Sequence, residues 1–393
     1  MDKQIISAFL SSCKEANVLR TVKPLRQQGV TVEVDGKKLI NLSSNDYLLQ
    51  GHDENLRSEF LELLNAHPEI LFSAASSRLL TGTFPEHALF EEKVGAIFNK
   101  ACLLLNSGFD ANSGILPTLA SKGTLFLADK LVHASIIDGL KASEGKWIRF
   151  PHNNLARLEA LLIKNYDAFN EIIIVTEAVF SMDGDAAPLN DLILLKDKYP
   201  KIKLYIDEAH SFGVFGSFGL GLCEQCLDKI DYLLCTLGKA AGSYGAFFLS
   251  DNLTKDYLIN NLRPFIFTTA MPPANAFHAL FMVEKLLSAQ DKRQMLLKNA
   301  ALIRKIARDV GFDMASSGQI IPLVVGSNEA AVWGGQFFKD KGFYVLPIRH
   351  PTVPLGAARL RLSLCAGLDD KDIQKLGDTI IEFKRELDKK YAN

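Results

Sequence analysis

The chain lacks the charge excess that nucleic-acid and anionic-membrane binders need. Its 393 residues carry 44 basic and 45 acidic side chains, which gives a formal net charge of −1. Without a basic surplus, neither class of partner is expected. Hydrophobic residues make up 48% of the chain and charged residues 23%, as in ordinary globular proteins. At ~150 residues per domain, a chain of this length predicts two to three domains with a large core.

Cysteine is also scarce, and six residues do not make a disulfide framework in a chain this long. Cys223 and Cys226 have C-x-x-C spacing, which leaves a zinc site as an alternative. No second pair or ligand cluster accompanies them, so no metal is expected. The N-terminus, MDKQIISAFLSSCKEANVLR, is polar and predicts no signal peptide, and no charge-free run of ~18 apolar residues predicts a membrane span. These features predict a reduced, cytoplasmic protein.

Short apolar segments alternate with helical patterns along most of the chain. An amphipathic helix is predicted to about residue 19, a strand at 37–42 and a helix at 53–64. Further strands are predicted at 101–105, 124–128, 171–176, 203–206, 232–236 and 246–250, with helices such as 154–164 and 189–198 between them. Strands that are apolar on both faces and separated by helices are typical of a mostly parallel sheet covered on both sides.

A proline-rich segment separates two predicted domains. RPFIFTTAMPP, at 263–273, holds three prolines and cannot form one regular element. A helix is predicted at 274–288, and the strand-like IIPLVV and ARLRLSL segments after it indicate a smaller C-terminal domain. The predicted division is an N-terminal helix and arm at 1–52, a large domain at 53–285 and a small domain at 286–393.

Chemically useful residues follow five of the predicted strands. Ligands of open parallel sheets bind beyond the carboxyl ends of the strands. The segment after 101–105 is NSGFDANSG, a turn whose backbone N–H groups suit a phosphate. The later strands are followed by His133, by Ser181, by Asp207 with His210, and by Lys239. Each residue alone has a common structural explanation, but together they predict an acid, two imidazoles, a lysine and an anion site on one rim.

Long motifs in this order resemble those of the fold-type-I enzymes that depend on pyridoxal 5′-phosphate, and specifically the α-oxoamine synthases. The motifs are NLSSNDYL (41–48), SSRLLTGTFPEHALFE (76–91), NSGFDAN (106–112), DKLVHASIIDG (129–139), TEAVFSMDGDAAPL (176–189), DEAHSFGVFGSFGLG (207–221) and TLGKAAGSYG (236–245). The resemblance covers nearly the whole chain. It implies an α/β fold with a mostly parallel sheet in a large domain, a smaller C-terminal α+β domain, and pyridoxal 5′-phosphate as cofactor.

The resemblance also implies a set of cofactor contacts. Lys239 would hold the cofactor as a Schiff base, because an amine can exchange with an amino-acid substrate. Asp207 would keep the pyridine nitrogen protonated, which makes the ring an electron sink. His133 would stack on the ring, and His210 would hydrogen-bond its phenolic oxygen. The remaining implied cofactor contacts are Gly108, Phe109, Ser181, Thr236, Thr268 and Thr269.

The amino-acid substrate is expected to bind through an arginine. By the motif match, Arg361 would hold its carboxylate with two parallel N–H···O bonds, and Arg359 or Arg349 could take this role in its place. Asn45 and His133 are further implied substrate contacts.

The implied reaction is the decarboxylative condensation of an amino acid with an acyl thioester. RPFIFTTAMPP and RHPTVPLGAARLRLSL (349–364) favour the use of L-alanine with pimeloyl-CoA or a pimeloyl carrier protein, in biotin biosynthesis. Arg20 and Thr352 match positions that touch the acyl substrate, and for Arg20 a solvated arginine is an equally good interpretation. The nearest alternative is an enzyme of the 2-amino-3-ketobutyrate CoA ligase type, which uses glycine or another acyl-CoA. A non-catalytic subunit that keeps the fold is a second alternative, and the presence of Lys239, Asp207 and both histidines argues against it.

A homodimer with shared active sites is the implied assembly. In the family, the loop that corresponds to FIFTTA (265–270) reaches the phosphate of the neighbouring subunit. Thr268 and Thr269 are therefore expected to contact the cofactor across the interface, near Asn45 and Tyr47.

Overall fold

The computed structural model describes residues 2–16 and 18–391. Its helices are α1 (Lys3–Glu15), α2 (Glu54–Asn65), α3 (Pro85–Phe98), α4 (Gly108–Leu119), α5 (Ala134–Ala142), α6 (Leu155–Asn165), α7 (Leu189–Lys198), α8 (Asn252–Asn261), α9 (Arg263–Phe267), α10 (Pro273–Leu287), α11 (Gln290–Asp309), α12 (Asn328–Asp340) and α13 (Asp370–Tyr391). Its strands are β1 (Arg26–Gln28), β2 (Thr31–Val34), β3 (Lys37–Asn41), β4 (Ala101–Leu105), β5 (Thr124–Asp129), β6 (Lys146–Phe150), β7 (Glu171–Glu177), β8 (Ile202–Asp207), β9 (Tyr232–Thr236), β10 (Ala246–Ser250), β11 (Ile320–Gly326), β12 (Phe343–Tyr344), β13 (Pro347–Ile348) and β14 (Ala358–Ser363).

A seven-stranded sheet organises one compact unit, which comprises residues 48–181 and 185–294. The strand order is β4-β10-β9-β8-β7-β5-β6. β10 runs antiparallel to both of its neighbours, and the pairs from β9 to β6 are all parallel. β5, β7 and β8 are almost wholly buried, because helices such as α4 and α7 pack around the sheet. The predicted α/β fold with a mostly parallel sheet is confirmed.

The core of this unit is built from side chains on the sheet and on α4 and α5. Phe126, Ile173, Tyr205 and Phe248 are all at most 1% exposed and belong to one continuous apolar cluster. Burying side chains of this size stabilises a fold by roughly 1.5–3 kcal/mol each. The core therefore fixes the strand ends, where the candidate site residues lie.

The other compact unit joins the first 47 residues to 182–184 and 295–393. It contains two small sheets, β1-β2-β3-β12 and β11-β14-β13. α12 and α13 pack together through aromatic rings, including Phe338 and Phe383, whose centroids are 5.2 Å apart. The division into 1–52, 53–285 and 286–393 stays a prediction.

Three details differ from or refine the sequence prediction. The N-terminal helix ends at Glu15 rather than near residue 19. β6 was not predicted, because KWIRF is exposed or half-buried except at its last residue. The proline-rich segment forms the short helix α9 and an extended stretch before α10, in which Pro273 occupies the first turn, where its missing N–H costs nothing. Among the described residues, no helix is both long and apolar enough to cross a bilayer.

Candidate active site

Lys239 and His210 meet at the carboxyl ends of β9 and β8. Nζ of Lys239 lies 2.9 Å from Nε2 of His210. The lysine is half-buried and the histidine is buried. Because β8 and β9 are parallel neighbours, the segments that follow them emerge at the same edge of the sheet. A primary amine is thus held by an imidazole at the rim that the motif order predicts.

Asp207, the last residue of β8, is a buried carboxylate with fixed hydrogen bonds. Oδ2 accepts from Nδ2 of Asn112 at 2.8 Å, and Oδ1 accepts from the backbone N–H of Ala209 at 2.9 Å. Asn112 is itself held, since its Oδ1 accepts from the hydroxyl of Tyr205 at 2.8 Å. The carboxylate therefore has a defined orientation, which is what a partner for a ring N–H⁺ requires.

His133 is joined to the same network from the start of α5. Its Nδ1 lies 2.8 Å from Oγ of Ser135, and Oγ of Ser135 accepts from Nδ2 of Asn112 at 3.0 Å. The imidazole also caps the first turn of the helix by accepting from the Ser135 N–H. Partial burial lowers the pKa of His133, so the neutral ring is favoured at physiological pH. A neutral, oriented ring is suited to stacking on an aromatic group.

The start of α4 offers an anion site next to Thr236. A Cβ on Gly108 would lie 2.6 Å from Cγ2 of Thr236, so only glycine permits this close approach. Oγ1 of Thr236 is buried, and within residues 2–16 and 18–391 it has no hydrogen-bond partner. A phosphate beside the N–H groups of Gly108 and Phe109 would satisfy that hydroxyl. These residues fit the phosphate of the expected cofactor.

Glu177, the last residue of β7, is a buried acid that the sequence prediction missed. Burial and then the neighbouring charge of Asp207 raise the pKa of Glu177 to about 8. The charge of Lys239 opposes the shift, as do the backbone N–H groups of His133 and Ser181. Of the described polar groups, none hydrogen-bonds Oε1 of Glu177. The side chain therefore links the backbones of two implied cofactor contacts and leaves one oxygen for a polar ligand.

Thr268 and Thr269 lie in the extended stretch after α9, where both are exposed. They line a cavity with Asn106, whose Nδ2 donates to the carbonyl of Thr269 at 2.9 Å. Thr269 also forms a β-bridge with Ser77. The two hydroxyls are thus held in a fixed loop beside the turn that precedes α4.

Arg361 lies on β14, where neutral oxygens hold its guanidinium. Nη1 donates to Oδ1 of Asn45 at 3.2 Å and to Oγ of Ser363 at 2.6 Å, and Nη2 donates to the hydroxyl of Tyr47 at 3.2 Å. Arg361 is 8% exposed. These hydrogen bonds hold the guanidinium in one orientation, and its planar fork of N–H donors matches the two oxygens of a carboxylate.

Arg359, the second arginine of the same strand, is already paired with a carboxylate. It forms an ion pair with Asp183, and its Nη1 donates to the carbonyl of Met182 at 3.2 Å. Its Nε donates to the carbonyl of Ala357 at 3.1 Å. The pairing with Asp183 favours Arg361 over Arg359 as the group that binds an amino-acid carboxylate.

Arg20 and Thr352 are in direct contact. Nη2 of Arg20 donates to Oγ1 of Thr352 at 3.1 Å. Both residues line a cavity of about 530 Å³ together with 18–21 and 346–351. The contact gives Arg20 a defined place at a cavity wall, as a substrate-binding arginine needs.

Asn112, Ser135 and Tyr205 carry the network, and the sequence prediction gave none of them a role. All three stand in or next to the long motifs, and all are buried. A buried polar residue within an apolar helical face, such as Asn112 between Ala111 and Ile115, is the signal that would have identified the first of them.

His152 links the ends of β5 and β6 to the loop that follows Ser181. Nδ1 lies 2.9 Å from Oδ1 of Asp129, and Nε2 lies 2.6 Å from Oδ2 of Asp185. Burial alone would lower the pKa of His152, but the two hydrogen-bonded carboxylates outweigh it and raise the pKa to about 10. The imidazolium therefore bridges two acids at neutral pH.

We expect this bridge to make stability depend on pH. Because the folded pKa of His152 lies above the ordinary value of 6.5, its contribution is complete below about pH 6.5 and is lost as the pH rises through 10. His152→Gln is expected to lower the free energy of unfolding by roughly 3 kcal/mol at pH 7, since it leaves two acids without their cation. Melting temperatures measured from pH 6 to 10 test this.

The matched control is His67→Gln, which removes an exposed histidine next to Glu69. It is expected to leave the melting temperature unchanged, because exposed ion pairs contribute little. If the melting temperatures of His152→Gln and the wild type changed equally with pH, the proposed bridge between Asp129 and Asp185 would be contradicted.

The family of this chain follows from the site together with comparisons to known proteins. The family described as aminotransferase class I and II matches residues 37–380. A serine palmitoyltransferase from S. paucimobilis, solved with a bound PLP–myriocin compound, superposes with a TM-score of 0.88 at 28% identity and covers 97% of both chains. The chain belongs to the class I and II aminotransferase family, in the α-oxoamine synthase group that its motifs resemble. Pyridoxal 5′-phosphate is its cofactor.

Two relatives named 8-amino-7-oxononanoate synthase are similar to nearly the whole chain. The 8-amino-7-oxononanoate synthase of Haemophilus ducreyi is 44% identical over 381 residues, which are 93% of this chain and 97% of the relative. The solved 8-amino-7-oxononanoate synthase of Francisella tularensis is 29% identical, with a TM-score of 0.74 over 90% of this chain and 99% of the other. The chain is a PLP-dependent acyltransferase of this type.

Proposed function

We propose that this chain condenses L-alanine with a pimeloyl thioester, supplied as pimeloyl-CoA or on a carrier protein. The products are 8-amino-7-oxononanoate, CO₂ and the free thiol. The observation that carries the proposal is 44% identity to a synthase of this name over 93% of the chain. The Lys239–His210 contact at 2.9 Å supports a catalytic chain over a non-catalytic subunit.

The residues of the rim have separate roles in this proposal. When bound, pyridoxal phosphate draws electrons from the α-carbon of the amino acid and makes its C–H bond acidic. The amine of Lys239 takes the α-proton and later returns a proton to the product, with His210 holding the amine in place. Asp207 keeps a proton on the ring nitrogen, and His133 covers the ring face and excludes water from it.

Arg361 orients the amino acid by its carboxylate. Asn45, Tyr47 and Ser363 fix the guanidinium, so that little side-chain freedom is lost when alanine binds. The cavity beside Arg20 and Thr352 suits an acyl chain with a distal carboxylate, because an arginine stands at its wall.

A homodimer with shared active sites, located in the cytoplasm, belongs to the same proposal. The exposure of Thr268 and Thr269 supports it, since exposed hydroxyl groups can hydrogen-bond a phosphate of a neighbouring copy. Six free cysteines suit a reducing compartment. Sedimentation of the holoenzyme tests the assembly, and a monomer that is fully active at high dilution would contradict it.

Substrate preference is the experiment that tests the proposed activity. Each methylene buried in an apolar cavity is worth about 0.8 kcal/mol, so pimeloyl thioesters are expected to exceed acetyl-CoA in kcat/KM by at least ~10³-fold. Alanine is expected to exceed glycine as co-substrate. CO₂ release is measured for both amino acids with pimeloyl-CoA, pimeloyl carrier protein and acetyl-CoA.

Comparable rates with acetyl-CoA and glycine would reassign the chain to the 2-amino-3-ketobutyrate CoA ligase type. A purified protein with neither cofactor absorption nor activity would support the alternative that the chain is a non-catalytic subunit. Equal use of both pimeloyl thioesters would show that the carrier contributes no recognition.

The arginine assignment gives a further prediction. Arg361→Lys is expected to raise the KM for alanine by ~10- to 100-fold, because an ammonium cannot form two parallel N–H···O bonds to a carboxylate. The measurement is initial rate against alanine concentration. The matched control is Arg359→Lys, the same change two residues away, which is expected to alter stability more than the KM for alanine. The reverse pattern would move the role to Arg359.

A further inference from the structure

Cys223 and Cys226 lie in the loop that connects β8 to β9, outside the site described above. Cys223 is fully buried, whereas Cys226 is half-buried. The only other half-buried cysteine within residues 2–16 and 18–391 is Cys13, and the remaining three are buried. The C-x-x-C pair therefore combines one accessible thiol with one protected thiol.

The backbone places the two cysteines at the ends of a single turn. The N–H of Cys226 donates to the carbonyl of Cys223 at 2.9 Å. A turn closed in this way brings its first and fourth Cα atoms within about 7 Å, and disulfides span about 4.4–6.8 Å. Cys226 also leaves the 3₁₀ path of 224–229, with φ −138° and ψ 25°. The turn can therefore carry a disulfide with a local backbone adjustment.

The two thiols interact and are chemically unequal. A hydrogen bond to Cys223 lowers the pKa of Cys226, against the effect of burial. The same hydrogen bond, and then burial, raise the pKa of Cys223 well above its ordinary value. Cys226 is thus the better nucleophile, and Cys223 remains a thiol that can react in a second step.

Glu208 connects this turn to the catalytic segment. Its carboxylate accepts from the N–H of Cys223 at 2.6 Å and from the N–H of Leu222 at 3.1 Å. The glutamate is fully buried and directly follows Asp207. The backbone at Gly221 is packed against the same carboxylate, since a Cβ there would lie 2.4 Å from Oε2 of Glu208. A shift of the turn therefore acts on the segment that carries Asp207 and His210.

We propose that Cys223 and Cys226 form a redox site that low-molecular-weight disulfides oxidise to an intramolecular disulfide, with a loss of turnover. The thiolate of Cys226 attacks the small disulfide, forms a mixed disulfide and releases one small thiolate. The thiol of Cys223 then loses its proton and attacks Cys226 Sγ, which releases the second small thiol. Two electrons pass from the cysteine pair to the small disulfide, and a thiol reductant reverses both steps.

The expected effect on activity follows from the hydrogen bonds of Glu208. Closing the disulfide draws Cys223 toward Cys226 and weakens the N–H bonds that Cys223 and Leu222 donate. Glu208 then no longer fixes the start of the DEAH segment. The holoenzyme is expected to lose activity at least ~5-fold without losing its fold.

Purified holoenzyme incubated with oxidised and reduced glutathione in varied ratios tests the proposal. Peptide mapping is expected to show a Cys223–Cys226 linkage, with the intact mass about two mass units lower because two thiol hydrogens are lost. CO₂ release and the visible spectrum of the bound cofactor are expected to change with the same dependence on the ratio, and dithiothreitol is expected to restore both. The mass does not depend on which substrate the enzyme uses, so failure of the proposed activity remains distinguishable.

Four variants separate the steps. Cys226→Ser is expected to abolish the linkage and the loss of activity, while Cys13→Ser, the matched control, keeps both. Cys223→Ser is expected to trap one glutathionyl group on Cys226, and Cys223→Ala serves the same purpose where serine disturbs the buried position.

Two results would overturn the proposal. A wild-type protein that carries only glutathione adducts, or only a linkage through Cys13, would exclude the redox pair. A complete Cys223–Cys226 disulfide with unchanged CO₂ release would exclude its control of activity.

Discussion

Lys239→Ala is expected to abolish turnover, with a loss of at least ~10⁴-fold in kcat. The amine is the only group at the rim that is proposed both to exchange with the amino-acid substrate and to move the α-proton. Alanine also leaves His210 without the contact that its Nε2 makes at 2.9 Å in the wild type. The measurement is CO₂ release from alanine and pimeloyl-CoA under saturating conditions.

Borohydride reduction of the wild-type holoenzyme locates the lysine independently of activity. The cofactor is expected to become covalently fixed to the peptide that contains Lys239. Lys130, an exposed lysine after β5, provides the control, since Lys130→Ala is expected to retain full turnover and the same labelled peptide. Label on Lys130 instead of Lys239 would show that the assignment is wrong.

Much of the central sheet could be predicted because its buried strands are continuous runs of apolar residues in the sequence. The predicted bounds of β4, β9 and β10 agree with the structure at both ends. These strands are short apolar runs between turn residues, so local composition alone specifies them. β6 differs, since charged residues stand at its exposed positions, Lys146 and Arg149, and interrupt the apolar run. Its place in the sheet is set by pairing with β5.

The hydrogen-bond network behind the rim could not be predicted from local patterns. Asn112 joins Asp207 to Ser135 only because α4 and α5 pack closely. Gly139 permits that approach, as a Cβ there would lie 2.4 Å from the carbonyl oxygen of Asn112. Periodicity shows that a helix has a buried face but does not show which helix covers it. The same holds for His152, whose two acids come from separate loops.

The rim itself followed from topology and from the motif resemblance. Parallel strands place the segments that follow them on one edge, so Asp207, His210 and Lys239 were expected together. The sequence alone could not show which of Arg359 and Arg361 binds the carboxylate of the amino acid, because the two arginines are two residues apart on one strand. The ion pair with Asp183 distinguishes them physically.

Asp207→Asn is expected to lower kcat by at least ~10³-fold, which corresponds to about 4 kcal/mol of transition-state stabilisation. The carboxylate is 4% exposed, and its charge is proposed to hold a proton on the ring nitrogen of the cofactor. An amide carries no charge and cannot do this. The NH₂ group of asparagine also has to face a donor, since Asp207 accepts from Nδ2 of Asn112 at 2.8 Å through one oxygen and from the N–H of Ala209 at 2.9 Å through the other.

Two further variants make this prediction specific to the carboxylate. Tyr205→Phe removes the hydroxyl that donates to Asn112 at 2.8 Å and leaves the charge in place, so a loss of only ~10-fold or less is expected. Asp228→Asn, at an exposed position, is expected to change nothing. The measurements are kcat and the absorption spectrum of the bound cofactor, which is expected to shift in Asp207→Asn alone. If Asp207→Asn retained activity within tenfold of the wild type, or if Tyr205→Phe lost as much, the charge of Asp207 would not be the group that holds the ring proton.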